Sequence, residues 1–237
     1  MGTRRETLRD ILGAGALALW PAGPARADDD AAVATVRRMT DAFQEALKAG
    51  DVRARSAVLA GPMAQNFDLP AMLRLGVGTR WKDIPADKQA ALIAAFGPYL
   101  TATYATRLSA AAGSRFEVQA KSEARGSGRL VRSTVTDASG DPSPVDYILG
   151  PDNKITDVYL QGTVSEAGTL RTGFTDPLRS GGPDGLLAHL RKTTEGMLAA
   201  APAAAAPATS GPGAAPADGK PLDGKPAEKR PATETKP

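Results

Sequence analysis

VDYILGPDNKITDVYLQG, residues 145–162, decides the fold. Two runs rich in β-branched and aromatic residues, Val145 to Leu149 and Ile155 to Leu160, flank Gly150-Pro151-Asp152-Asn153. Gly and Asn tolerate left-handed backbone and Pro presets φ, so the four residues reverse the chain between two short strands. Upstream, Phe116, Val118 and Ala120 alternate with Glu117, Gln119 and Lys121, the period of a half-buried strand. Leu130 to Thr136 reads likewise. Gly126-Ser127-Gly128 and Gly140-Asp141-Pro142 separate these runs, so four consecutive strands form an antiparallel meander.

On both sides of the meander the period changes to that of helices. Val36, Met39, Phe43 and Leu47 recur at spacings of three and four before Gly50. A shorter helix is expected from Arg53 to Ala60, ended by Gly61-Pro62. Asp68 stands where an N-cap belongs, Pro70 in the first turn, and Gly76 and Gly78 stop the segment after about two turns. Pro85 then starts a helix with Leu92, Phe96, Tyr99 or Leu100, and Thr103 on one face, which Gly97-Pro98 should kink or split. Helices return at about 164–178 and, after Gly181-Gly182-Pro183, at 184–198. This order predicts an α+β domain: a curved antiparallel sheet of four strands or slightly more, covered on one face by helices, with an apolar cavity between the layers.

The ends of the chain belong to other classes of segment. Residues 1–27 carry a twin-arginine pattern, Thr3-Arg4-Arg5-Glu6-Thr7-Leu8-Arg9, an apolar run to Trp20 and small residues at Ala25 and Ala27. They are expected to be an export signal, by the twin-arginine or the general secretory route. The apolar run is half the length of about 20 residues needed to span a bilayer. Residues 201–237 hold 11 Ala and 8 Pro with Leu222 as the one large aliphatic, too little apolar surface to offset ordering entropy. A disordered tail is expected there, passive or serving as a tether. Residues 28–200 are left as the folded domain.

The chain has 237 residues and no Cys, so its core must hold without disulfides and no lipoprotein anchor is expected. Of the net charge of +3, residues 1–27 contribute +2 and the tail +1, leaving the domain neutral. A neutral domain makes no electrostatic case for nucleic acid.

Candidates for chemistry are few. His189 is the single His and sits among Leu186, Leu187 and Leu190, where a half-buried helix position explains it. With no Cys, zinc would need three carboxylates beside it, a set zinc rarely uses. No nucleophile elbow or phosphate loop is present, and Gly76-Val77-Gly78 lacks the preceding strand that a dinucleotide site requires. Asp146, Tyr147, Asp157 and Tyr159 could offer a carboxylate and a phenol, but alternation sends neighbours to opposite faces. No catalytic group, cofactor or metal is expected.

Six stretches carry a resemblance: FDLPAMLRLGVGTRW (67–81), FGPYLTATYATRL (96–108), RFEV (115–118), VDYIL (145–149), DVYLQGTVSE (157–166) and GGPDGLLAHL (181–190). In this order they resemble the MlaC or toluene-tolerance family of periplasmic lipid-binding proteins, over roughly residues 33–198. The turn Gly162 to Glu166 and the strand at Arg115 look closest to its hopanoid-associated HpnM branch.

The resemblance implies a helix-covered sheet, related in shape to the NTF2 and cystatin-like folds, with acyl chains held in the cavity. It also implies a monomeric periplasmic carrier of phospholipid or hopanoid between an outer-membrane complex and an inner-membrane ABC transporter complex. The expected cavity wall is Leu69, Met72, Leu75, Phe96, Tyr99, Leu100, Val135, Tyr147, Val158 and Leu160. The alternative is an NTF2-like enzyme acting on a small hydrophobic substrate in the same cavity. Two departures from the family pattern stand out: Gly97-Pro98 in a helix expected to be unbroken, and Gly168 in the helix after the last strand.

Overall fold

The computed structural model describes residues 25–199. The export signal assigned to residues 1–27 lies outside the described residues apart from its last three positions, and the tail at 201–237 lies outside them entirely. Element order is α1 (Ala25–Leu47), α2 (Val52–Asn66), α3 (Leu69–Val77), α4 (Ala86–Arg107), β1 (Arg115–Val118), β2 (Glu123–Arg125), β3 (Gly128–Thr136), β4 (Pro142–Leu149), β5 (Ile155–Leu160), β6 (Val164–Ser165) and α5 (Glu166–Ala199). Short 3₁₀ turns follow α3 and α4, at Gly78–Asp83 and Leu108–Ala110.

The sheet is antiparallel and open, in the order β1-β3-β4-β5-β6, with β2 also paired to β3. The expected meander is β1, β3, β4 and β5, and two short strands extend it. Both β1 and β2 run along one edge of β3: Val118 faces Ser133, and Glu123 faces Leu130. Residues 119–122 bulge between them, with the Gln119 N–H still bonded to the Arg132 carbonyl at 3.0 Å.

Register sorts the two faces. Phe116 lies opposite Val135, Tyr147 between Val131 and Val158, and Val145 between Ser133 and Leu160, giving one apolar face. The other face carries charge. Arg132 bonds Glu123 at 2.8 Å and lies 3.6 Å from Asp146, and the Arg125 guanidinium sits 5.5 Å from the Tyr159 ring centre. Helices cover the apolar face: α1 on β1 and β3, α3 and α5 on β5, with α2 against α1 and α4, and α4 against α5.

α3 is built as its sequence demands. The Asp68 carboxylate accepts the Ala71 N–H at 2.9 Å, and Gly78 ends the helix with φ 72°. The Asp68 N–H donates to the Ile155 carbonyl at 2.9 Å, which ties the helix start to β5. Gly76 lies inside the helix, and a Cβ there would meet Leu170 Cβ at 3.1 Å and the Phe174 ring at 3.3 Å. A side chain at Gly76 would therefore crowd α5, and glycine lets α3 approach it closely.

One proline reading is corrected: α2 does not end at Gly61-Pro62 but continues through Pro62 to Asn66. Of the kink or split expected at Gly97-Pro98, the split does not occur, because α4 runs unbroken from Ala86 to Arg107. A mid-helix proline costs about 3 kcal/mol. Each large apolar side chain buried on the same helix returns about 1.5–3 kcal/mol, and α4 buries Leu92, Phe96, Leu100 and Tyr104, α2 Leu59 and Met63. Tertiary burial outweighs the local break.

α5 is two helical segments meeting at Gly182 (φ 57°, ψ −150°), at the expected Gly181-Gly182-Pro183 break. Gly168 weakens little, because it lies in the first turn and its N–H is capped by the Ser165 hydroxyl at 3.1 Å.

Candidate functional site

Between the apolar sheet face and the helices lies a pocket of 170 Å³. Its floor is three cross-strand pairs, Phe116 with Val135, Val145 with Leu160, and Tyr147 with Val158. Its roof is Phe43 from α1, Tyr104 and Arg107 from α4, and Leu108 and Ala111 after the helix. The roof is an aromatic stack: Phe43 and Tyr104 lie parallel at 5.5 Å, and Phe116 sits 5.8 Å from Phe43.

Polar groups enter at one edge. Arg107 pairs with both oxygens of Glu166, one contact at 3.0 Å, and its guanidinium lies 5.6 Å from the Tyr104 ring centre. The Glu166 side chain is 1% exposed and that of Arg107 40%, so the cation faces water while the carboxylate is buried behind it. Burial opposes the Arg107 charge, and the Glu166 bonds and charge outweigh it, raising its pKa. Burial likewise raises the pKa of Tyr147, and that of Tyr104 together with the negative charge of Glu166. The Tyr104 hydroxyl is buried without a hydrogen-bond partner among the described residues.

No carboxylate lines this pocket. Asp157 is occupied elsewhere: it accepts the Ala167 N–H at 2.9 Å, the Ser165 hydroxyl at 2.6 Å and the Val158 N–H at 2.8 Å, capping α5. Tyr147 faces the pocket and Asp146 the charged side of the sheet, as alternation requires. His189 is half-buried against Tyr99 and Phe174, with ring centres 6.4 and 6.5 Å away. Among the described residues no cluster of His, Asp and Glu could hold a metal.

Of the ten residues expected to form the wall, Val135, Tyr147, Val158 and Leu160 meet in this pocket. Leu69 lines a second cleft of 340 Å³ between α2 and α4, beside Gly97 and Pro98. Met72, Phe96 and Leu100 are fully buried in the core, Tyr99 is half-buried against Phe96 and Phe174, and Leu75 is 43% exposed. Phe43, Tyr104, Arg107, Leu108, Ala111, Phe116 and Val145 complete the pocket and are not among the expected wall residues. Phe116 and Val145 were visible as inward positions of their strands, and Tyr104 continues the spacing of four from Leu92 through Phe96 and Leu100.

The profile of the MlaC protein family matches residues 33–192, from within α1 to within α5 and across every strand. The chain belongs to the MlaC family. This MlaC-family chain is also similar to a solved structure, the phospholipid-binding protein from Ralstonia solanacearum in complex with a phospholipid. The two share 22% identity and a TM-score of 0.59, over 70% of this chain and 98% of the other, which establishes a common fold. No curated protein matches the sequence. Among the described residues, no helix is long and apolar enough to cross a membrane.

Proposed function

We propose that this MlaC-family protein is a soluble periplasmic lipid carrier, holding the acyl chains of a phospholipid or hopanoid between its sheet and its helices. The observation that carries the reading is the apolar pocket between Phe43 and Tyr104 above and Val135, Tyr147, Val158 and Leu160 below. Its neighbour of the same fold is a phospholipid-binding protein solved with its ligand.

A methylene takes up roughly the volume of one water, about 30 Å³, so 170 Å³ seats about six methylenes. At about 0.8 kcal/mol for each, the pocket as it stands offers about 5 kcal/mol. A chain of 16 carbons would bring on the order of 10 kcal/mol, about twice what this pocket alone offers. Such a carrier gains affinity from burial and needs little from the head group, which suits release to a second membrane. On this reading it serves an ABC-type lipid transport system, exchanging cargo with complexes in the inner and outer membranes. A pocket without a carboxylate, with two tyrosines kept protonated by burial, favours binding over acid–base catalysis.

Organic extraction of the purified protein followed by mass spectrometry tests the reading. Phospholipid or hopanoid in near-stoichiometric amount is expected. Lipid-free protein that also takes up none from liposomes would refute it.

A further inference from the structure

Away from the apolar pocket, cationic groups gather at the corner where α3 ends. Residues 69–83, α3 with the 3₁₀ turn after it, carry Arg74, Arg80 and Lys82 against Asp83 alone, a net charge of +2 in a domain that is neutral as a whole. A hollow of 270 Å³ opens there, lined by Gly76 to Arg80 on one side and by Arg171, Thr175 and Leu178 of α5 on the other. The Arg171 guanidinium lies against the backbone of Gly78, where an added Cβ would stand 3.5 Å from its Nε and 3.7 Å from its Cζ. Gly78 also has φ 72°, so the turn and the approach of the guanidinium both favour glycine.

Both guanidinium groups keep donors for a ligand. Arg171 donates one N–H, from Nη2, to the Leu75 carbonyl at 2.8 Å. Arg80 is exposed and makes no hydrogen bond or ion pair among the described residues. No carboxylate lines the hollow, and Asp176, next to Thr175 in the chain, is paired with Arg179 at 2.7 Å. The carbonyl end of α3 brings about half a negative charge to this corner, which two guanidinium ions outweigh. Such a pair suits a phosphate, whose oxygens accept the paired N–H bonds that a guanidinium offers.

Leu75 immediately precedes the hollow and is 43% exposed, one of two large apolar side chains so exposed among the described residues. Cations that hold phosphate next to an exposed aliphatic side chain match the surface of a bilayer, where phosphate overlies hydrocarbon. A small soluble phosphate compound would leave Leu75 in water. The choice of a bilayer rests on the carrier reading above, since a protein that loads and releases lipid must meet one.

We propose that the corner between α3 and α5 docks on an anionic phospholipid bilayer, with Arg80 and Arg171 holding a lipid phosphate in the hollow and Leu75 entering the interface.

The test is co-sedimentation of the purified protein with sucrose-loaded vesicles of phosphatidylglycerol and phosphatidylcholine, against vesicles of phosphatidylcholine alone. Binding to the anionic vesicles is expected, falling as salt is raised. Each cation near an anionic surface contributes about fivefold in affinity, so Arg80→Ala should weaken binding about fivefold and Arg80→Ala with Arg171→Ala about 25-fold. Arg80 is exposed and unbonded, so Arg80→Ala should keep the wild-type urea midpoint. Arg37→Ala removes an exposed cation of α1 and should bind as wild type, as should Val135→Trp, which narrows the apolar pocket. Equal binding to the two kinds of vesicle, or an equal loss in Arg37→Ala and Arg80→Ala, would overturn the proposal, and lipid extracted from the same protein would leave the carrier reading intact. Saturable binding of inorganic phosphate that Arg80→Ala abolishes, with vesicle binding unchanged in that variant, would also overturn it. Docking by a protein that takes up no lipid would overturn the carrier reading alone.

Discussion

Val135→Trp separates a pocket wall from ordinary core. Val135 stands on β3 opposite Phe116, half-buried, with the 170 Å³ pocket in front of it. An indole pointing into that space excludes about half of the six or so methylenes it can seat, a loss of about 2–3 kcal/mol of lipid binding. That converts to a loss in affinity of about 30- to 150-fold. Overpacking a filled core costs about 1–3 kcal/mol, but here the added atoms enter existing space, so stability should change by less than about 1 kcal/mol. Binding is followed by titration with a fluorescent phospholipid and stability by urea unfolding of the lipid-free protein. A drop in stability that matches or exceeds the drop in binding would assign Val135 to the core and refute the reasoning. Unchanged lipid affinity would refute it equally.

Two further predictions concern the groups around the pocket edge. Arg107→Ala leaves the 1%-exposed Glu166 carboxylate unpaired and should cost about 3 kcal/mol in urea unfolding, whereas Glu166→Ala should cost less because the half-exposed Arg107 turns to water; equal losses would contradict this asymmetry. Burial raises the folded-state pKa values of Tyr104 and Tyr147 above the ordinary tyrosine value of about 10, so their contribution is complete below pH 10 and is lost as pH rises through and beyond it. Each should lower stability by up to about 1.4 kcal/mol per pH unit there; urea midpoints at pH 8 and pH 11 measure the fall. Tyr99, also raised by burial, adds to the fall, so Tyr147→Phe should remove part of it, and an alkaline fall unchanged in that variant would contradict the assignment.

The sheet was legible because strand alternation and turn chemistry agree. Val145, Tyr147, Val158 and Leu160 could be placed on one face from period alone, and the register puts them there. The short strands β2 and β6 carry too few residues for any period to show. At Gly61-Pro62 the chain stays helical, and at Gly97-Pro98 it is not split, because local rules describe an isolated helix and do not weigh Leu59, Phe96 or Leu100 buried on the same elements.

The pocket roof was harder to see. The apolar spacing of α4 predicts a face ending at Thr103, while the buried row runs Leu92, Phe96, Leu100, Tyr104 and Leu108 at a constant spacing of four. With Leu100 rather than Tyr99 in the row, the same spacing leads on to Tyr104 and Leu108. Nothing local marks Arg107 as part of the site, because its significance comes from Glu166, 59 residues away in the chain. Asp68 and Gly78 punctuate α3 as expected, but Leu75 is exposed and Met72 is core, so that helix supports the fold without facing this pocket.

The central claim is that the protein carries lipid through water, and transfer between two liposome populations separated by a membrane permeable to protein but not to vesicles tests it most directly. Phospholipid should appear in acceptor liposomes in proportion to protein concentration, and Val135→Trp should suppress its appearance. Transfer no faster than in the absence of protein would contradict it.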